Sequence, residues 1–299
     1  MFDQWEALST ELRTAIVAAL ALLAVSLFLA VWVGYNWVKR KKMTRASGRK
    51  DNGELLSAEI AYFHEKGKRD KQEDSFYISP VDEYDKNGLV VCVSDGMGGM
   101  RVGDEISHDI VNEIKGMWPL SFFGNEKTAD DIRKISNMIC SKYDFQGGAT
   151  LAMIHIYNNY MNIYSVGDSD IILIRDGQST ILNPRQNYVS YLVKKLVREG
   201  KETQDAYINS KSRALVDFMG NKDPRVIYTT EAMKLTDGDV IIVSSDGLTD
   251  AIPWNTLAKY NHSGARKIAY TIKQTIKSKK IPKQDNYTAI MVRMSRGVV

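Results

Sequence analysis

The amino-acid sequence predicts an α+β fold in which layers of antiparallel sheet are covered by helices. Short apolar runs typical of buried strands, such as Leu89–Val93 and Val240–Val243, alternate with stretches whose apolar residues recur about every 3.6 positions. Strands that are mostly joined by hairpins, with the helices in separate blocks, indicate this layered arrangement. At 299 residues the chain has room for one large domain or two small ones.

The predicted elements follow one another from about residue 57 onward. Apolar runs predict strands at Phe76–Ile78, Leu89–Val93, Met161–Val166, Ile171–Ile174, Val240–Val243 and Tyr287–Met294. Helical spacing predicts helices over 103–117, 128–142, 188–199, 204–218 and 263–279. The turn residues Gly167 to Asp170 separate two of the strands, so these two strands are predicted to form a hairpin.

The N-terminal segment is predicted to cross a membrane. From Ala15 to Gly34 every residue is apolar or small, AIVAALALLAVSLFLAVWVG, which is enough for a helix to cross a hydrocarbon core of about 30 Å. Trp32, Tyr35 and Trp37 at its end are typical of an aromatic belt. A signal peptide is the main alternative, but the preceding residues are acidic on balance and no convincing cleavage site follows.

The charges around this segment predict its orientation. Five basic residues follow the apolar run, namely Lys39, Arg40, Lys41, Lys42 and Arg45. Because such residues stay on the cytoplasmic side, we expect an extracytoplasmic N-terminus over 1–14, a transmembrane helix over 15–38, a basic linker over 39–56 and a cytoplasmic domain over 57–299. The basic cluster either contacts anionic lipid headgroups or only fixes the topology.

The composition argues against several classes of site. Two cysteines, Cys92 and Cys140, cannot build a disulfide framework and are expected to be buried thiols. The four histidines are scattered without paired ligand spacing, so a zinc site built on His and Cys is not expected. The net charge of +4 says little about partners, and no nucleic-acid partner is expected.

Acidic residues stand at the ends of several predicted strands. Asp95 and Asp246 each follow a buried strand, Asp285 precedes the last strand, and Glu73-Asp74 precede a short one. Because the end of an antiparallel strand lies beside the start of its neighbour, the first three are expected to meet at one edge of the sheet. Clustered carboxylates repel one another unless a cation lies between them, and oxygen ligands select Mg²⁺ or Mn²⁺. One Asp-Gly pair alone would indicate only a turn, but the whole set favours a two-metal site.

The glycine-rich segment SDGMGGMRVGDE does not match a nucleotide-binding loop. It lacks a Gly-Lys followed by Ser or Thr, and Gly96, Gly98 and Gly99 do not fit the dinucleotide fingerprint. Its glycines are expected to let the backbone approach an ion or anion closely. The carbonyl of Gly96 is therefore a candidate metal ligand.

Six segments of the chain carry motifs that occur together in one family. They are GKRDKQED from Gly67, VSDGMGG from Val93, GGATLA from Gly147, SVGDSDIILIRDG from Ser165, LTDGDVIIVSSDGLTD from Leu235 and QDNYTAIMV from Gln284. In this order they resemble the motifs of the metal-dependent protein phosphatases of the PPM family, the type 2C serine/threonine phosphatases, in their bacterial form. The resemblance runs from about residue 57 to 296.

The resemblance implies a four-layer α/β/β/α sandwich of two antiparallel sheets flanked by helices, preceded here by the transmembrane helix. It also implies two divalent cations, Mn²⁺ or Mg²⁺, bound by Asp95, Asp246 and Asp285. Glu73 and the Gly96 carbonyl would complete the shell of the second ion.

The implied reaction is hydrolysis of phosphoserine and phosphothreonine in proteins, without a covalent intermediate. A water bridging the two cations would attack phosphorus in line, with Asp74 orienting the water. Arg69 would hold the substrate phosphate, because its planar guanidinium suits bidentate binding to phosphate oxygens. The expected partners are phosphorylated proteins and, by family analogy, an opposing serine/threonine kinase.

The chain departs from the bacterial pattern at a possible third metal site. The family often has Asp-His-Ser after the Gly-Asp-Ser motif, whereas this chain has Gln186 to Ser190, in which the neutral Asn187 would weaken such a site. Asp144, before Gly147-Gly148, is the remaining candidate for a third metal ligand. Asp170 stands where Arg is usual.

Two alternative functions stay open. The first is a catalytically silent binding or regulatory module with the same fold, although the retained Arg69, Asp74 and metal ligands argue against it. The second is a phosphatase of small-molecule or lipid phosphates, which a membrane anchor allows. In every case the expected location is a bacterial inner membrane, with the catalytic domain in the cytoplasm and a role in signalling.

Overall fold

The computed structural model describes residues 55–97, 102–208, 214–261 and 264–297. One compact unit spans Leu55–Val299. The predicted transmembrane helix over 15–38, the segment before it and nearly all of the predicted linker lie outside the described residues, as do Gly98 and Gly99. In the described part of the chain, no helix combines the length and the apolar content needed to span a bilayer.

Strands and helices alternate along the described chain. The strands are β1 Ser57–Glu65, β2 Asp74–Ile78, β3 Leu89–Asp95, β4 Leu151–Tyr157, β5 Tyr160–Val166, β6 Asp170–Arg175, β7 Gln178–Ile181, β8 Ile227–Tyr228, β9 Met233–Lys234, β10 Val240–Ser244 and β11 Tyr287–Ser295. The helices are α1 Tyr84–Asn87, α2 Gly103–Gly116, α3 Asn125–Lys142, α4 Tyr188–Arg198, α5 Gln204–Ile208, α6 Asp246–Ala251 and α7 Ala265–Ser278, with 3-10 turns at Val81–Glu83 and Trp254–Tyr260.

The strands form two antiparallel sheets. The first sheet has the order β1-β11-β10-β6-β7, and the second has the order β2-β3-β4-β5-β8, with β9 also pairing with β5. Apolar side chains from both sheets, such as Val91 and Ile154 of the second and Ile241 and Ile290 of the first, belong to one buried cluster. The two sheets therefore pack face to face and bury this cluster between them.

Helices cover the outer faces of both sheets. Ile268 and Ile272 of α7 pack with Met291 on the first sheet. Ile110 of α2 and Ile132 of α3 pack in the cluster that covers the second sheet. The predicted arrangement of helix, sheet, sheet and helix is thus confirmed, and burial on both faces explains why the central strands are apolar at nearly every position.

Two predicted elements differ in the structure. β5 and β6 do not form a hairpin, because β5 belongs to the second sheet and β6 to the first. The turn between them, where Gly167 has a φ of +97°, carries the chain from one sheet to the other. Both strands are buried on two faces, and this burial gives the same apolar pattern for a crossover as for a hairpin.

The predicted helix over 204–218 is also wrong in its last part: α5 spans Gln204–Ile208, residues 209–213 lie outside the described part of the chain, and residues 214–218 are not helical. Further along, the amide of Val216 donates to the carbonyl of Gln186, and the amide of Tyr188 donates to the carbonyl of Ala214. The backbone groups of this segment are therefore satisfied by a neighbouring chain segment rather than by a helix. The other four predicted helices are present, and α3 begins three residues before its predicted start.

Candidate active site

A cavity of about 300 Å³ lies where the ends of several strands meet. Five of the residues predicted to bind metals or phosphate line it, namely Arg69, Asp95, Gly96, Asp246 and Asp285. Asp95 is the last residue of β3, Asp246 is the first residue of α6 directly after β10, and Asp285 lies just before β11. The cavity thus gathers acidic side chains from three distant parts of the chain.

The three aspartates come from two sheets, so the prediction that they meet at one edge of a single sheet is wrong. Asp246 and Asp285 flank paired strands of the first sheet, in which Ser244 at the end of β10 lies opposite Ala289 near the start of β11. These two aspartates therefore lie close together because the end of one antiparallel strand is beside the start of its neighbour. Asp95 comes from the second sheet and reaches the same cavity because strands of both sheets end at this end of the sandwich.

Asp74 lies directly behind these groups. It is the strand partner of Asp95 in the β2–β3 pair, and it is only 3% exposed. One carboxylate oxygen accepts a hydrogen bond of 2.8 Å from the hydroxyl of Ser245, whereas Oδ1 has no hydrogen-bond partner among the described residues. Burial raises the pKa of Asp74 to about 6. A buried carboxylate with an unpartnered oxygen is positioned to accept a proton or a hydrogen bond from a ligand.

The neighbouring carboxylates raise one another's pKa. Burial raises the pKa of Asp246 to about 8, with further contributions from nearby acidic groups that include Asp168 and Asp285. Burial and then the charge of Asp74 raise the pKa of Asp95 well above its usual range. Desolvation and like charges therefore disfavour the ionised forms of both groups unless positive charge is supplied.

Arg69 is the basic residue that lines this cavity. Its Nη2 donates to Oδ2 of Asp285 at 2.5 Å, and its side chain is 43% exposed. Burial lowers the pKa of this guanidinium, but the hydrogen bond and the charge of Asp285 outweigh burial and raise the pKa. The guanidinium therefore faces the cavity and remains accessible to a ligand with anionic oxygens.

The loop that carries Arg69 is held by Asn286, a residue that the sequence argument did not select. Its Oδ1 accepts from the amide of Glu73 at 2.8 Å, and its Nδ2 donates to the carbonyls of Lys66 and Lys71 at 2.7 and 2.9 Å. Gly67 begins the turn with a φ of +67°, and a Cβ at this position would lie 2.1 Å from the carbonyl oxygen of Asp285. Close backbone contact thus requires glycine here.

Glu73 and Gly96 are joined through their backbones. The amide of Gly96 donates to the carbonyl of Glu73 at 3.0 Å, and the hydroxyl of Ser107 donates to the same carbonyl at 2.6 Å. Glu73 is 9% exposed, and burial raises its pKa. The two proposed ligands of the second ion are therefore fixed relative to each other by the contact between β2 and the chain after β3.

Asp168 is the acidic residue of this cavity that the sequence argument left as part of a turn. It is 8% exposed, burial raises its pKa, and its Oδ2 accepts from Nδ2 of Asn187 at 3.1 Å. The predicted candidate Asp144 instead lies exposed in the turn after α3, with a φ of +47°, and is not among the residues that line the cavity. The Gly-Asp-Ser motif is the signal that could have identified Asp168.

The donor set of this cavity fits hard divalent cations. It consists of carboxylates and backbone carbonyls, which Mg²⁺ and Mn²⁺ prefer, and several of the carboxylates have raised pKa values. As placed, no three of the described His, Cys, Asp or Glu side chains lie close enough together to form a ligand shell. Like charges repel, so bound cations would have to offset the repulsion among these carboxylates, and Asp285 would bind a cation beside or in place of Arg69. The predicted ligand roles stay predictions.

The fold and this site define a class of protein. A sandwich of two antiparallel sheets between helices, with an arginine and clustered carboxylates at one end, suits hydrolysis of phosphate esters assisted by divalent cations.

Comparisons with known proteins agree with this class. No family model matches the chain. A serine/threonine phosphatase stp of Listeria monocytogenes is 29% identical over 185 residues, which cover 58% of this chain and 71% of that protein. The crystal structure of the serine/threonine phosphatase Stp1 of Staphylococcus aureus is similar with a TM-score of 0.68 at 21% identity, covering 81% of this chain and 96% of that one.

A third similarity concerns metal content. The catalytic domain of the serine/threonine protein phosphatase PstP, whose structure contains two manganese ions, is similar with a TM-score of 0.63 at 22% identity, covering 81% of this chain and all of that one. The sequence relatives, at 25 to 28% identity, are named phosphatases of the 2C type or of the serine/threonine class, and the structural neighbours, at 21 and 22% identity, share the fold of this chain. The names of the sequence relatives confirm the prediction that the chain is an enzyme of the phosphoprotein phosphatase class.

Proposed function

We propose that the chain is a membrane-anchored, metal-dependent protein serine/threonine phosphatase whose catalytic domain lies in the cytoplasm. The observation that carries the catalytic part is the convergence of Asp95, Asp246 and Asp285 on one cavity together with Arg69. Acidic groups with raised pKa values that line a cavity beside an accessible guanidinium are typical of functional sites.

Two divalent cations, Mn²⁺ or Mg²⁺, are the proposed cofactors. Asp95, Asp246 and Asp285 would hold them, with Glu73 and the carbonyl of Gly96 as further ligands. When bound, such a pair supplies positive charge that acidifies a water and stabilises the oxygens of the transferred phosphoryl group.

The chain's own residues provide the remaining steps. Arg69 would bind the phosphate oxygens of the substrate, since its guanidinium is exposed at the cavity and can donate two parallel hydrogen bonds. Asp74 is held by Ser245 with Oδ1 left to accept a proton or a hydrogen bond from the attacking water.

Phosphoserine and phosphothreonine of proteins are the proposed substrates, since the sequence relatives are named serine/threonine phosphatases. The apolar run at 15–34 and the basic residues after it support an anchor in the inner membrane of a bacterium. Such an enzyme would oppose a serine/threonine kinase in the same signalling pathway.

The test is a phosphatase assay of the purified full chain with phosphoserine, phosphothreonine and phosphotyrosine peptides, with and without Mn²⁺. We expect turnover of the first two peptides that requires the cation. The Asp95→Asn variant is the control for contaminating phosphatases. Full activity of this variant, or turnover of phospholipid or sugar phosphate with none of the peptides, would overturn the proposal in favour of a silent module or a small-molecule phosphatase.

The anchor is tested separately. A chain lacking residues 1–38 should be recovered in the soluble fraction with its peptide turnover intact, whereas the full chain should resist extraction from membranes by alkaline carbonate. Release of the full chain by carbonate would contradict the anchor and leave the catalytic proposal in place.

A further inference from the structure

A second cavity, of about 470 Å³, lies beside the candidate active site and along α4. Basic residues predominate among the charged groups of its lining. They are Arg185, Lys194, Lys195, Arg198 and Arg225, and the acidic ones are Glu199 and Asp217. The catalytic cavity has the opposite character, since four aspartates line it with one arginine.

Several of these basic side chains are available to a ligand. Lys194 and Arg198 are exposed and form no ion pair with any described residue. They are four residues apart on α4, so their side chains lie on the same face of the helix. Arg185 is less available, because it forms an ion pair with Asp170, donating to its two carboxylate oxygens at 2.9 and 2.5 Å.

The two acidic groups of the lining offset only part of this charge. Glu199 accepts from Nζ of Lys201 at 2.8 Å, and Oδ1 of Asp217 accepts from the backbone amide of Arg225 at 3.4 Å. The side chain of Arg225 is exposed as well. Positive charge therefore remains in excess at the mouth of this cavity, where a concave surface strengthens its effect on an anion.

The two cavities share a wall. Leu215 lines the catalytic cavity, and the next residue, Val216, lines the basic one. Asn187, which also lines the basic cavity, pairs with Leu215 through the backbone and donates its side-chain amide to Asp168 of the catalytic cavity. An extended chain advances about 3.3 Å per residue, so a peptide that crosses this wall reaches the basic cavity within a few residues.

We propose that the basic cavity binds acidic side chains that flank the phosphorylated residue of the substrate protein, a specificity that rests on the phosphatase function proposed above. Lys194 and Arg198 would attract Asp or Glu residues a few positions from the phosphoresidue, while Val216 and Tyr191, both exposed, offer apolar contact to the peptide. A concave site joined to the catalytic cavity suits a peptide rather than the flat surface of a membrane.

The test compares three phosphothreonine peptides: one with neutral flanks, one with three Asp residues before the phosphothreonine and one with three after it. With the full chain and Mn²⁺, one of the acidic peptides should show a kcat/KM roughly fivefold above that of the neutral peptide at low salt, because rim charges contribute modestly to recognition. The preference should shrink in 0.5 M NaCl, where screening is strong.

The matched variants remove two positive charges each. Lys194→Ala/Arg198→Ala should bring the ratio of acidic to neutral kcat/KM close to one, whereas Arg266→Ala/Lys267→Ala on α7 should retain the wild-type ratio. Peptide binding is measured independently of turnover by fluorescence anisotropy, with the inactive Asp246→Asn chain. The same titration is repeated with Asp246→Asn combined with Lys194→Ala/Arg198→Ala.

The outcomes separate the two proposals. Turnover of all three peptides at equal kcat/KM, with equal binding, overturns the acidic preference and leaves the phosphatase function standing. Binding that prefers an acidic peptide without any turnover supports the basic cavity and overturns the phosphatase function. If the preference for an acidic peptide survives in Lys194→Ala/Arg198→Ala, another surface causes that preference and the proposal is wrong. No peptide preference, with activity in proteoliposomes that rises with phosphatidylglycerol and depends on Lys194 and Arg198, assigns the cavity to lipid and overturns the proposal.

Discussion

The buried aspartates of this protein fall into two sets that differ in how their charge is compensated. Asp170 and Asp239 are 0% and 1% exposed, and each has an arginine of its own. Arg185 donates to both oxygens of Asp170, and Arg175 donates to both oxygens of Asp239 at 2.8 and 2.6 Å. Such pairing is expected in a folded domain, because a buried carboxylate without a charged partner costs much free energy.

The aspartates around the catalytic cavity are compensated differently. Asp74 and Asp168 are buried with only neutral hydrogen-bond donors, Ser245 and Asn187 respectively. Asp95 forms no ion pair with the described residues, and neither does Asp246. The carboxylates that line the catalytic cavity therefore have less positive charge paired with them than Asp170 and Asp239 have. Such a shortage of positive charge is what we expect of a cation site.

The largest expected effect comes from removing the cations. EDTA should reduce phosphopeptide turnover to background, and excess Mn²⁺ or Mg²⁺ should restore it, because without cations the clustered carboxylates repel one another and Arg69 stays paired with Asp285. Isothermal titration calorimetry of the EDTA-treated and dialysed chain should give two equivalents of Mn²⁺. Full turnover in EDTA would show that the shortage of positive charge has no catalytic meaning.

The next effect separates the two sets of aspartates directly. Asp246→Asn should lower kcat by about a thousandfold, since loss of a ligand weakens charge stabilisation worth several kcal/mol, at about 1.4 kcal/mol for each factor of ten. The free energy of unfolding without cations should stay the same or rise, because the variant no longer buries a carboxyl group whose pKa is higher in the folded state than in the unfolded state. Activity assays and urea denaturation measure the two quantities.

Asp239→Asn is the matched change in the other set. Breaking a buried pair should cost about 3 kcal/mol of unfolding free energy, at the lower end for such pairs because Arg175 is partly exposed. The kcat of the folded fraction should stay near that of the wild type. If instead Asp239→Asn lost kcat and Asp246→Asn lost stability, the distinction between the two sets would be wrong.

A smaller effect concerns stability as a function of pH. The pKa of Asp246 is about 8 in the folded chain, above the usual value of about 3.9 for an unfolded Asp. From about pH 4 to 8 the unfolded state therefore gives up a proton that the folded state retains, so the contribution of this group to stability declines as the pH rises through that window. The Tm of the chain in EDTA should be lower at pH 8.5 than at pH 5.5. Saturating Mn²⁺ or Asp246→Asn should make the Tm less dependent on pH. If the Tm of Asp246→Asn changed with pH as much as that of the wild type, other groups would cause the dependence.

The sequence predicted the site residues that directly follow a buried strand, because such a strand is recognisable from its own apolar residues. β3 and β10 are buried on both faces, so each gives an uninterrupted apolar run that ends in Asp95 or Asp246. It could not predict that these strands belong to different sheets, because β5 and β6 give the same apolar pattern for a hairpin as for a crossover. Asn286 was missed because its bonds to the loop at 66–73 join segments more than 210 residues apart and leave no periodic signal.

The smallest effect is expected at Asn187, where a neutral side chain holds one of the cavity's aspartates. In Asn187→Asp the new carboxylate cannot donate to Asp168 when ionised, and two acidic groups then face each other in a buried place. Without cations we expect a loss of roughly 1–2 kcal/mol of unfolding free energy, as for an unsatisfied buried acceptor. With Mn²⁺ the added charge should compensate and lower the cation concentration for half-maximal activity a few-fold. Asn187→Ala removes the same hydrogen bond without adding charge, so it should require no less Mn²⁺ than the wild type. It also removes the N-cap of α4, where Oδ1 of Asn187 accepts from the amide of Ser190, which should cost about 1 kcal/mol more stability. An equal shift of the Mn²⁺ dependence in both variants would mean that loss of the hydrogen bond to Asp168, rather than the added charge, causes the shift.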